Sequence, residues 1–381
     1  MPLQQGVLTG VRRGVETLAW RVNRWYRHWL PRKTALAGVD IGTREIRVAK
    51  VKVTGGIPEV AAIGRFPTPP DIFTDGIGSE KLAVALKGAV QNTGTEIKEA
   101  VTAVGADKLI LRQIRMPLMP EKEIEAALKW EAERHIPVPL EELVLRHATL
   151  GEVTTDEVRQ LHILLVAAPH KTIHEYHSLF QQAGLMLVAV DLQAFAHWRV
   201  FAGSYRTQPS GTIAILNISG TNSQLTILRA GRIELVRNIA VGGDKITEAL
   251  AKTYSVDFSV AQKMKEEGEI IPALGEAAAT VEPAKVQLDF AIRAGMGEIV
   301  REIRRSLSWY QSQSREFPVE RIILCGGGAK LKGIVAFLSE ELGLPVDMGI
   351  PGVRVHTANP EEGYDPSLAT AIGLALREAV G

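Results

Sequence analysis

Three glycine-rich turns follow apolar segments of this 381-residue chain, and their backbone could bind the phosphates of a nucleotide. Residues 38–43 (GVDIGT) and 218–222 (ISGTN) each lie between two apolar runs, which predicts β-hairpins whose N–H groups face phosphate oxygens. Residues 325–329 (CGGGA) follow a third apolar run and precede a predicted helix over residues 330–342, so these glycines adjoin a helix N-terminus. Three such turns in one chain indicate nucleotide binding.

Strands and helices must position these turns, and the hydrophobic periodicity predicts both. The predicted strands cover residues 35–41, 45–53, 58–66, 100–104, 109–115, 161–168, 185–190, 212–218, 224–228, 232–239 and 319–324. The predicted helices cover residues 79–93, 121–135, 171–183, 191–201, 245–254, 289–313 and 368–380. The polar residues 151–160 are predicted to form a hairpin loop, and Asp244 is predicted to cap the N-terminus of the helix that follows it.

The composition is that of a soluble protein, with 46% hydrophobic and 23% charged residues, and the length suffices for two core-forming units. The single cysteine, Cys325, excludes an intramolecular disulfide and a cysteine-cluster metal site, which favours a reducing compartment such as the cytoplasm. No stretch approaches the roughly 18 consecutive apolar residues of a membrane-spanning helix, and the N-terminus lacks the apolar core of a signal peptide. The nine histidines show no metal-binding spacing.

Residues 1–33 differ from the rest of the chain because they contain seven basic residues and one acidic residue. Their apolar residues recur every three or four positions from Val11 to Trp29, which predicts an amphipathic helix that Pro31 ends. A basic face opposite a tryptophan-bearing apolar face is typical of a helix on an anionic membrane surface. The same pattern also suits docking on the body of this protein or on a partner helix. A nucleic-acid partner is not expected, because the rest of the chain carries net negative charge.

Six motifs occur in a characteristic order along the chain. They are residues 38–43 (GVDIGT), 130–139 (WEAERHIPVP), 164–168 (LLVAA), 183–185 (AGL), 241–243 (VGG) and 325–328 (CGGG). Together they resemble the PilM family, which consists of actin-like, FtsA-related cytoplasmic proteins of type IV pilus assembly. The resemblance covers residues 35 to about 380 and implies an α/β fold. In this fold two actin-like (ribonuclease-H-like) domains enclose a nucleotide cleft, and one domain carries an inserted FtsA-type subdomain.

The resemblance also implies domain boundaries beyond the N-terminal helix at residues 1–33. The first actin-like domain is expected to take its core from residues 34–107 and 183–208, and the inserted subdomain is expected at residues 108–182. The second actin-like domain is expected at residues 209–364, followed by a C-terminal helix at residues 365–381 that packs back on the first domain.

The cofactors that the resemblance implies are ATP or ADP with Mg²⁺. Asp40 stands where actin-like ATPases place the carboxylate that holds Mg²⁺, a hard cation that prefers oxygen ligands. Arg47 stands where the family commonly has lysine, and Lys265 stands where relatives contact ribose or phosphate. The implied nucleotide-binding residues are Asp40, Gly42, Thr43, Arg47, Asn217, Ser219, Gly220, Thr221, Gly242, Gly243, Lys265, Gly326, Gly327 and Gly328.

Asn217 occupies a position where the family usually has aspartate, and Gln193 stands where many relatives have glutamate. An amide can hydrogen-bond a phosphate or a metal-bound water, but it cannot act as a base. Loss of a positioned base costs about 10²- to 10⁴-fold in rate. The chain is therefore expected to bind ATP and to hydrolyse it weakly or not at all.

The implied function is that of an ATP-binding scaffold in the type IV pilus inner-membrane assembly complex, at the cytoplasmic face of the membrane. The implied partners are the N-terminal cytoplasmic peptide of a PilN-like protein and other proteins of that complex. The proline-bounded rim at Arg134, Ile136 and Pro137 is expected to bind this extended peptide. Two alternatives remain open, namely an FtsA-like filament-forming protein recruited to the membrane and a small-molecule kinase of the same superfamily.

Overall fold

The computed structural model describes residues 35–70, 77–155, 158–205, 211–271, 282–314, 316–355 and 364–379. The helix that the sequence predicts over residues 1–33 lies outside these described residues. The strands of the described chain are β1 (Ala35–Ile41), β2 (Glu45–Thr54), β3 (Ile57–Pro67), β4 (Glu99–Ala103), β5 (Ile110–Pro117), β6 (Leu143–Thr155), β7 (Val158–Pro169), β8 (Met186–Asp191), β9 (Thr212–Ile218), β10 (Ser223–Arg229), β11 (Arg232–Ile239), β12 (Arg321–Cys325), β13 (Val346–Met348) and β14 (Arg354–Val355).

The α-helices alternate with these strands and cover the faces of the sheets. They are α1 (Glu80–Gln91), α2 (Glu121–His135), α3 (His170–Gln182), α4 (Gln193–Phe201), α5 (Asp244–Tyr254), α6 (Phe258–Glu267), α7 (Pro283–Gln313), α8 (Ile334–Leu342) and α9 (Ala369–Ala375). Within the described ranges, no helix combines the length and the apolar character that crossing a membrane requires.

The first sheet has six strands in the order β14-β3-β2-β1-β4-β8. Strands β1, β2 and β3 run antiparallel, whereas β4 and β8 extend the sheet in parallel. Gly55 and Gly56 connect β2 to β3, and both have positive φ, as the favoured two-residue hairpin turn requires. Helices α1 and α3 bury Leu86 and Phe180 on one face of this sheet. The first glycine turn therefore leaves the sheet at the end of a central strand.

The second sheet repeats this plan, as the sequence predicts, with five strands in the order β11-β10-β9-β12-β13. Strand β9 pairs antiparallel with β10 and parallel with β12. Helix α7 begins at Pro283 rather than at the predicted Asp289, because proline is favoured at the first position of a helix. The second and third glycine turns follow the adjacent strands β9 and β12, so they leave this sheet side by side.

The third sheet is antiparallel, in the order β5-β7-β6, and is built from residues between β4 and α3. Helix α2 covers one face and buries Leu128 against Ile163 and Leu165. The predicted loop over residues 151–160 is wrong, because β6 and β7 stay paired up to Thr155 and Val158. Glu152, Thr154 and Arg159 lie on this strand pair, and Arg159 forms an ion pair with Glu152.

The C-terminal residues return to the first sheet. Strand β14 pairs with β3, and α9 packs on β1 and α4. A methyl group added at Gly38 of β1 would come within 1.9 Å of the Ala371 carbonyl oxygen, and one added at Gly373 would come within 2.0 Å of the Ala196 carbonyl oxygen. The helix therefore lies directly on the backbone of its neighbours. The domain boundaries drawn from the sequence stay a prediction.

Candidate functional site

The first glycine turn connects β1 to β2. The Gly42 N–H donates to the Glu45 carbonyl oxygen at 3.1 Å, and the Thr68 hydroxyl donates to the Gly42 carbonyl oxygen at 2.8 Å. Asp40 lies just before this turn, with its Oδ2 atom 3.3 Å from an Arg47 nitrogen. Burial raises the pKa of the Asp40 carboxyl, although the Arg47 guanidinium opposes this shift. Arg47 thus pairs with a carboxylate here, and its contact with phosphate stays a prediction.

The second glycine turn is held against the N-terminus of α5. The Gly243 N–H donates to the Ser219 carbonyl oxygen, and the Asp244 N–H donates to the Gly220 carbonyl oxygen, both at 2.8 Å. Gly242 permits this contact, because a methyl group there would come within 2.4 Å of the Gly220 carbonyl oxygen. The turn and the helix N-terminus therefore form one backbone surface, with Thr221 exposed at its tip.

Asp244 does not cap α5, so this prediction is wrong. Gly243 occupies the N-cap position, no side-chain cap is present, and Asp244 is the first helical residue. Its Oδ1 atom instead lies 2.5 Å from an Arg44 nitrogen in the first turn. The Asp244 carboxylate, which the local sequence predicts to cap the helix, therefore pairs with the distant Arg44 instead.

The third glycine turn packs against the end of β9. A methyl group at Gly326 would come within 2.2 Å of Asn217 Oδ1, and one at Gly328 within 2.4 Å of Ile218 Cγ2. Gly327 is different, because a methyl group there would have no atom within 4 Å and the residue is exposed. Gly327 is thus the glycine of this turn whose backbone is open to a ligand.

The helix predicted over residues 330–342 is shorter than expected. A 3₁₀ helix covers Gly327–Lys330, and α8 begins only at Ile334. Gly333 separates the two with a φ of 77°, a left-handed conformation that favours glycine. The third turn is therefore followed by a tight bend rather than by the α-helix itself.

The first and second turns meet each other. A methyl group at Gly220 would come within 2.5 Å of the Thr43 hydroxyl oxygen and within 3.3 Å of Asp244 Oδ1. Arg44 follows Thr43, spans this junction to Asp244 and places its guanidinium 5.4 Å from the centre of the Phe258 ring. The loop of the first sheet and the helix layer of the second sheet are therefore in direct contact.

Lys265 of α6 also reaches this junction, and its contact with ribose or phosphate stays a prediction. Its ammonium donates to the Gly243 carbonyl oxygen at 3.1 Å and to the Thr247 hydroxyl at 2.8 Å. Burial lowers the pKa of Lys265 to about 8, with a further contribution from the positive charge of Arg44, while Asp244 opposes the shift. A phosphate oxygen beside this ammonium would favour its charged form.

A chain of ion pairs joins the first turn to the third. Arg47 Nε lies 2.9 Å from Glu45, which also pairs with Arg65 at 3.3 Å. Arg65 in turn lies 2.6 Å from Asp365, whose other partner is Lys330 of the third turn at 3.4 Å. Burial alone would raise the pKa of Asp365, but the Ser367 N–H and Arg65 outweigh it and lower the pKa.

Asn217 and Asp191 stand at or near the two positions where the family has acidic residues, and neither presents a free carboxylate. Asn217 is 2% exposed, and its amide donates to the Ser219 hydroxyl at 3.1 Å. Asp191, the acid nearest to Gln193, lies 2.9 Å from Arg199 and 2.7 Å from Arg377. Asn217 and Asp191 are therefore both engaged with neighbouring side chains.

These residues fit a nucleotide. Gly327 and Gly243 present uncrowded backbone, because a methyl group at Gly327 would have no atom within 4 Å and one at Gly243 would find its nearest neighbours at 3.5 and 3.7 Å. The Gly243 N–H is itself bonded to the Ser219 carbonyl oxygen, so, of these two glycines, it is the Gly327 backbone that can approach an anion. Lys265 supplies positive charge beside them. No cluster of three or more acidic, histidine or cysteine side chains that could hold a metal occurs in the described part of the chain. Mg²⁺ would thus rely on Asp40 together with phosphate oxygens and water.

A family model described as Type IV pilus assembly protein PilM matches residues 38–379. The chain belongs to this family. A chain in the solved structure of a PilM-PilN type IV pilus biogenesis complex is 28% identical, with a TM-score of 0.77, and the match covers 92% of this chain and 99% of that one. The expectation drawn from the six sequence motifs is therefore confirmed, and the fold is actin-like.

More distant relatives share the fold. The ethanolamine utilization protein EutJ from Carboxydothermus hydrogenoformans is 17% identical with a TM-score of 0.52, and the match covers 92% of this chain and 91% of EutJ. The cell division protein FtsA from Streptococcus pneumoniae serotype 2 (strain D39 / NCTC 7466) is 23% identical over 222 residues. That match covers 55% of this chain and 47% of FtsA, so the chain spans about half the length of this curated relative.

The predicted partner-binding rim is only partly exposed. Arg134 is exposed and pairs with Glu131 at 3.3 Å, and Pro137 is exposed as well. Ile136 is 4% exposed and packs in the core between α2 and the third sheet. Its assignment to the partner-binding rim is therefore wrong, because the C-terminal turn of α2 directs this side chain inward.

Two features of the site were missed at the level of sequence. The Arg44–Asp244 pair joins residues 200 positions apart, and the Arg65–Asp365 pair joins residues 300 apart. Arg44 had a visible signal, because a cation that directly follows the Gly-Thr of a phosphate turn is placed to meet an anion. The pairing of Asp365 had no local signal.

Proposed function

We propose that this chain is a nucleotide-binding scaffold of the type IV pilus assembly complex at the inner face of the cytoplasmic membrane. The observation that carries the proposal is the meeting of the first two glycine turns beside Lys265, with Gly327 of the third turn open to a ligand. The bound ligand in this proposal is ATP or ADP with Mg²⁺.

Each residue in this proposal has a separate task. The open backbone at Gly327 approaches the ligand closely, and the Lys265 ammonium balances phosphate charge. Asp40 would hold Mg²⁺, a hard cation that prefers oxygen ligands and would supply positive charge to the phosphates. The buried Asn217 orients polar groups without accepting a proton, so the nucleotide is held rather than turned over.

Thermal unfolding with and without ATP and Mg²⁺ tests the nucleotide proposal. Binding stabilises the folded state by about 2.7 kcal/mol when the ligand is present at 100 times its Kd, which is a measurable rise in Tm. Gly327→Val should abolish this rise and leave the Tm without nucleotide close to that of the wild type, because its side chain meets open space. Gly78→Val is the matched control, since its nearest neighbour is a Glu175 carbon at 4.0 Å. An unchanged wild-type Tm across millimolar ATP would refute the proposal.

The proposed partner is the cytoplasmic N-terminal tail of a PilN-like protein, because a relative of this chain was solved in a PilM-PilN complex. A cavity of about 980 Å³ adjoins the exposed end of α2 and is large enough for several residues of an extended peptide. Its lining includes Glu131, His135, Gln113, Glu234, Trp309 and Tyr310. Trp309 is 46% exposed and offers the peptide an aromatic surface.

Titration with a synthetic tail peptide tests this placement. Arg134→Glu should weaken binding, because the reversed charge lies at the rim, whereas Lys129→Glu reverses a charge at another exposed position of α2 and serves as the control. Hydrogen exchange should show protection around α2 and β5. Protection confined to residues 211–271 would contradict the placement.

The basic segment of residues 1–33 is proposed to recruit the protein to the anionic inner face of the membrane, where other proteins of the complex are also proposed to bind it. Each basic residue near such a surface contributes about 1 kcal/mol, and salt screens the interaction. The full chain should co-sediment with anionic vesicles at low salt, and deletion of residues 1–33 should release it. If the deletion instead abolishes self-association and the full chain ignores vesicles, the segment is a protein-docking element.

A further inference from the structure

Arg44 forms an ion pair that bridges the two halves of the candidate nucleotide site. Its guanidinium lies 2.5 Å from Asp244 and 5.4 Å from the centre of the Phe258 ring, and the charged side chains are 31% and 21% exposed. Arg44 belongs to the first turn, whereas Asp244 begins α5 behind the second turn. The pair therefore closes the junction at which both turns converge.

A second cation, Lys265, lies beside this pair. Burial lowers the pKa of Lys265 to about 8 and the charge of Arg44 lowers it further, whereas Asp244 and Glu266 oppose the shift. Asp40 is already engaged with Arg47 at 3.3 Å. At the point where Thr43 approaches Gly220, Asp244 is the ion-pair partner of Arg44, whereas the Lys265 ammonium donates to the Gly243 carbonyl oxygen and the Thr247 hydroxyl. An incoming anion at this point would complement the second cation.

Arginine is suited to exchange one anion for another, because its planar fork matches the oxygen spacing of carboxylate and phosphate alike. Its position directly after Thr43 places it at the end of the first turn nearest the second sheet. We propose that Arg44 senses the terminal phosphate of a nucleoside triphosphate, pairing with Asp244 without that phosphate and transferring to the phosphate when it is bound. This inference rests on the proposed nucleotide function and adds to it a preference for the triphosphate over the diphosphate.

A static clasp is the competing explanation of the same ion pair. In a static clasp the two partners act together, so Arg44→Ala and Asp244→Ala change nucleotide affinity in the same direction. In the exchange mechanism they act in opposite directions, because Asp244 competes with the phosphate for Arg44. The sign of the two effects therefore separates the mechanisms.

Isothermal titration of the full chain with ATP–Mg²⁺ and with ADP–Mg²⁺ tests the proposal. Arg44→Ala should weaken ATP binding about 10- to 100-fold, the range of a lost charge-assisted hydrogen bond, and change ADP binding by less than about threefold. Arg44→Lys keeps the charge without the fork and should recover part of the ATP preference. Arg321→Ala removes one partner of the exposed Arg321–Asp347 pair and is the control.

A double-mutant cycle distinguishes exchange from simple repulsion between Asp244 and the phosphate. Asp244→Ala should strengthen ATP binding severalfold in the wild-type background and have no effect in the Arg44→Ala background. The same gain in both backgrounds, or an unchanged ratio of ATP to ADP affinity in Arg44→Ala, would overturn the sensor role while leaving nucleotide binding intact. A wild-type chain that binds neither nucleotide would overturn the proposed function and this inference with it.

Discussion

The burial of Lys265 predicts that the free energy of unfolding depends on pH. The direction of this dependence follows from the lowered pKa of the buried side chain. The pKa of Lys265 is lowered to about 8 in the folded protein, from an ordinary value of 10.5. Between these two values the unfolded chain binds more protons than the folded one, so the free energy of unfolding rises with pH through this window. A pKa that differs by 1 between the folded and unfolded chain corresponds to about 1.4 kcal/mol, which sets an upper limit of about 3.5 kcal/mol on the gain. Lys265→Met removes this contribution.

Urea unfolding of the wild type and of Lys265→Met at several values between pH 7.5 and 10.5 measures the effect. The free energy of unfolding of the wild type, minus that of the variant, should increase by about 2–3 kcal/mol across the window. Lys263→Met is the control, because Lys263 is exposed on the same helix. The difference between the two variants removes the titration of every other group.

Saturating ATP with Mg²⁺ should move the window to higher pH, because a nearby phosphate stabilises the charged ammonium. If the difference in free energy of unfolding between the wild type and Lys265→Met does not change with pH, the argument that burial lowers the pKa of Lys265 is refuted. A rise that ATP does not shift would show that Lys265 is buried but remote from the phosphates.

Three further substitutions test the backbone contacts and the missing base. Gly38→Val should lower the free energy of unfolding by about 3 kcal/mol or more in urea titrations, since the added carbon would lie 1.9 Å from the Ala371 carbonyl oxygen. Gly326→Ala should lower it by about 2–4 kcal/mol by the same measurement, because that residue has a φ of 88° and the added methyl group would come within 2.2 Å of Asn217 Oδ1. Asn217→Asp should raise the rate of phosphate release from ATP by about 10²-fold, and a rate equal to that of the wild type would show that the missing base is not what limits turnover.

Much of the fold could be predicted from local patterns. Helix α2 spans Glu121–His135 as predicted, because prolines stand on both sides of an amphipathic segment. Strands β1 and β9 end as predicted, because each apolar run stops at a glycine-containing turn. The three glycine turns could therefore be predicted from the sequence.

The predictions that were wrong share one physical cause. In each of them, contacts with other elements of the fold, rather than the local sequence, determine where the residue lies. Glu152 and Arg159 look like loop residues in sequence, yet they lie on the paired strands β6 and β7 and form an ion pair with each other. Asp244 matches a local capping pattern, yet it pairs with an arginine from the first turn. Ile136 lies in a proline-bounded segment that looked like a rim, yet the third sheet provides an apolar surface that buries it.

The return of the C-terminal residues to the first sheet has a consequence for the order in which the protein can be made. Arg65 and Asp365 are 300 residues apart in the chain. At about 5–20 residues per second, a ribosome needs roughly 15–60 s to travel between residues so far apart. Throughout this interval β3 lacks β14, and β1 lacks the helix that covers Gly38. The nascent first sheet is therefore an unfinished surface that a chaperone can recognise until the last helix is translated.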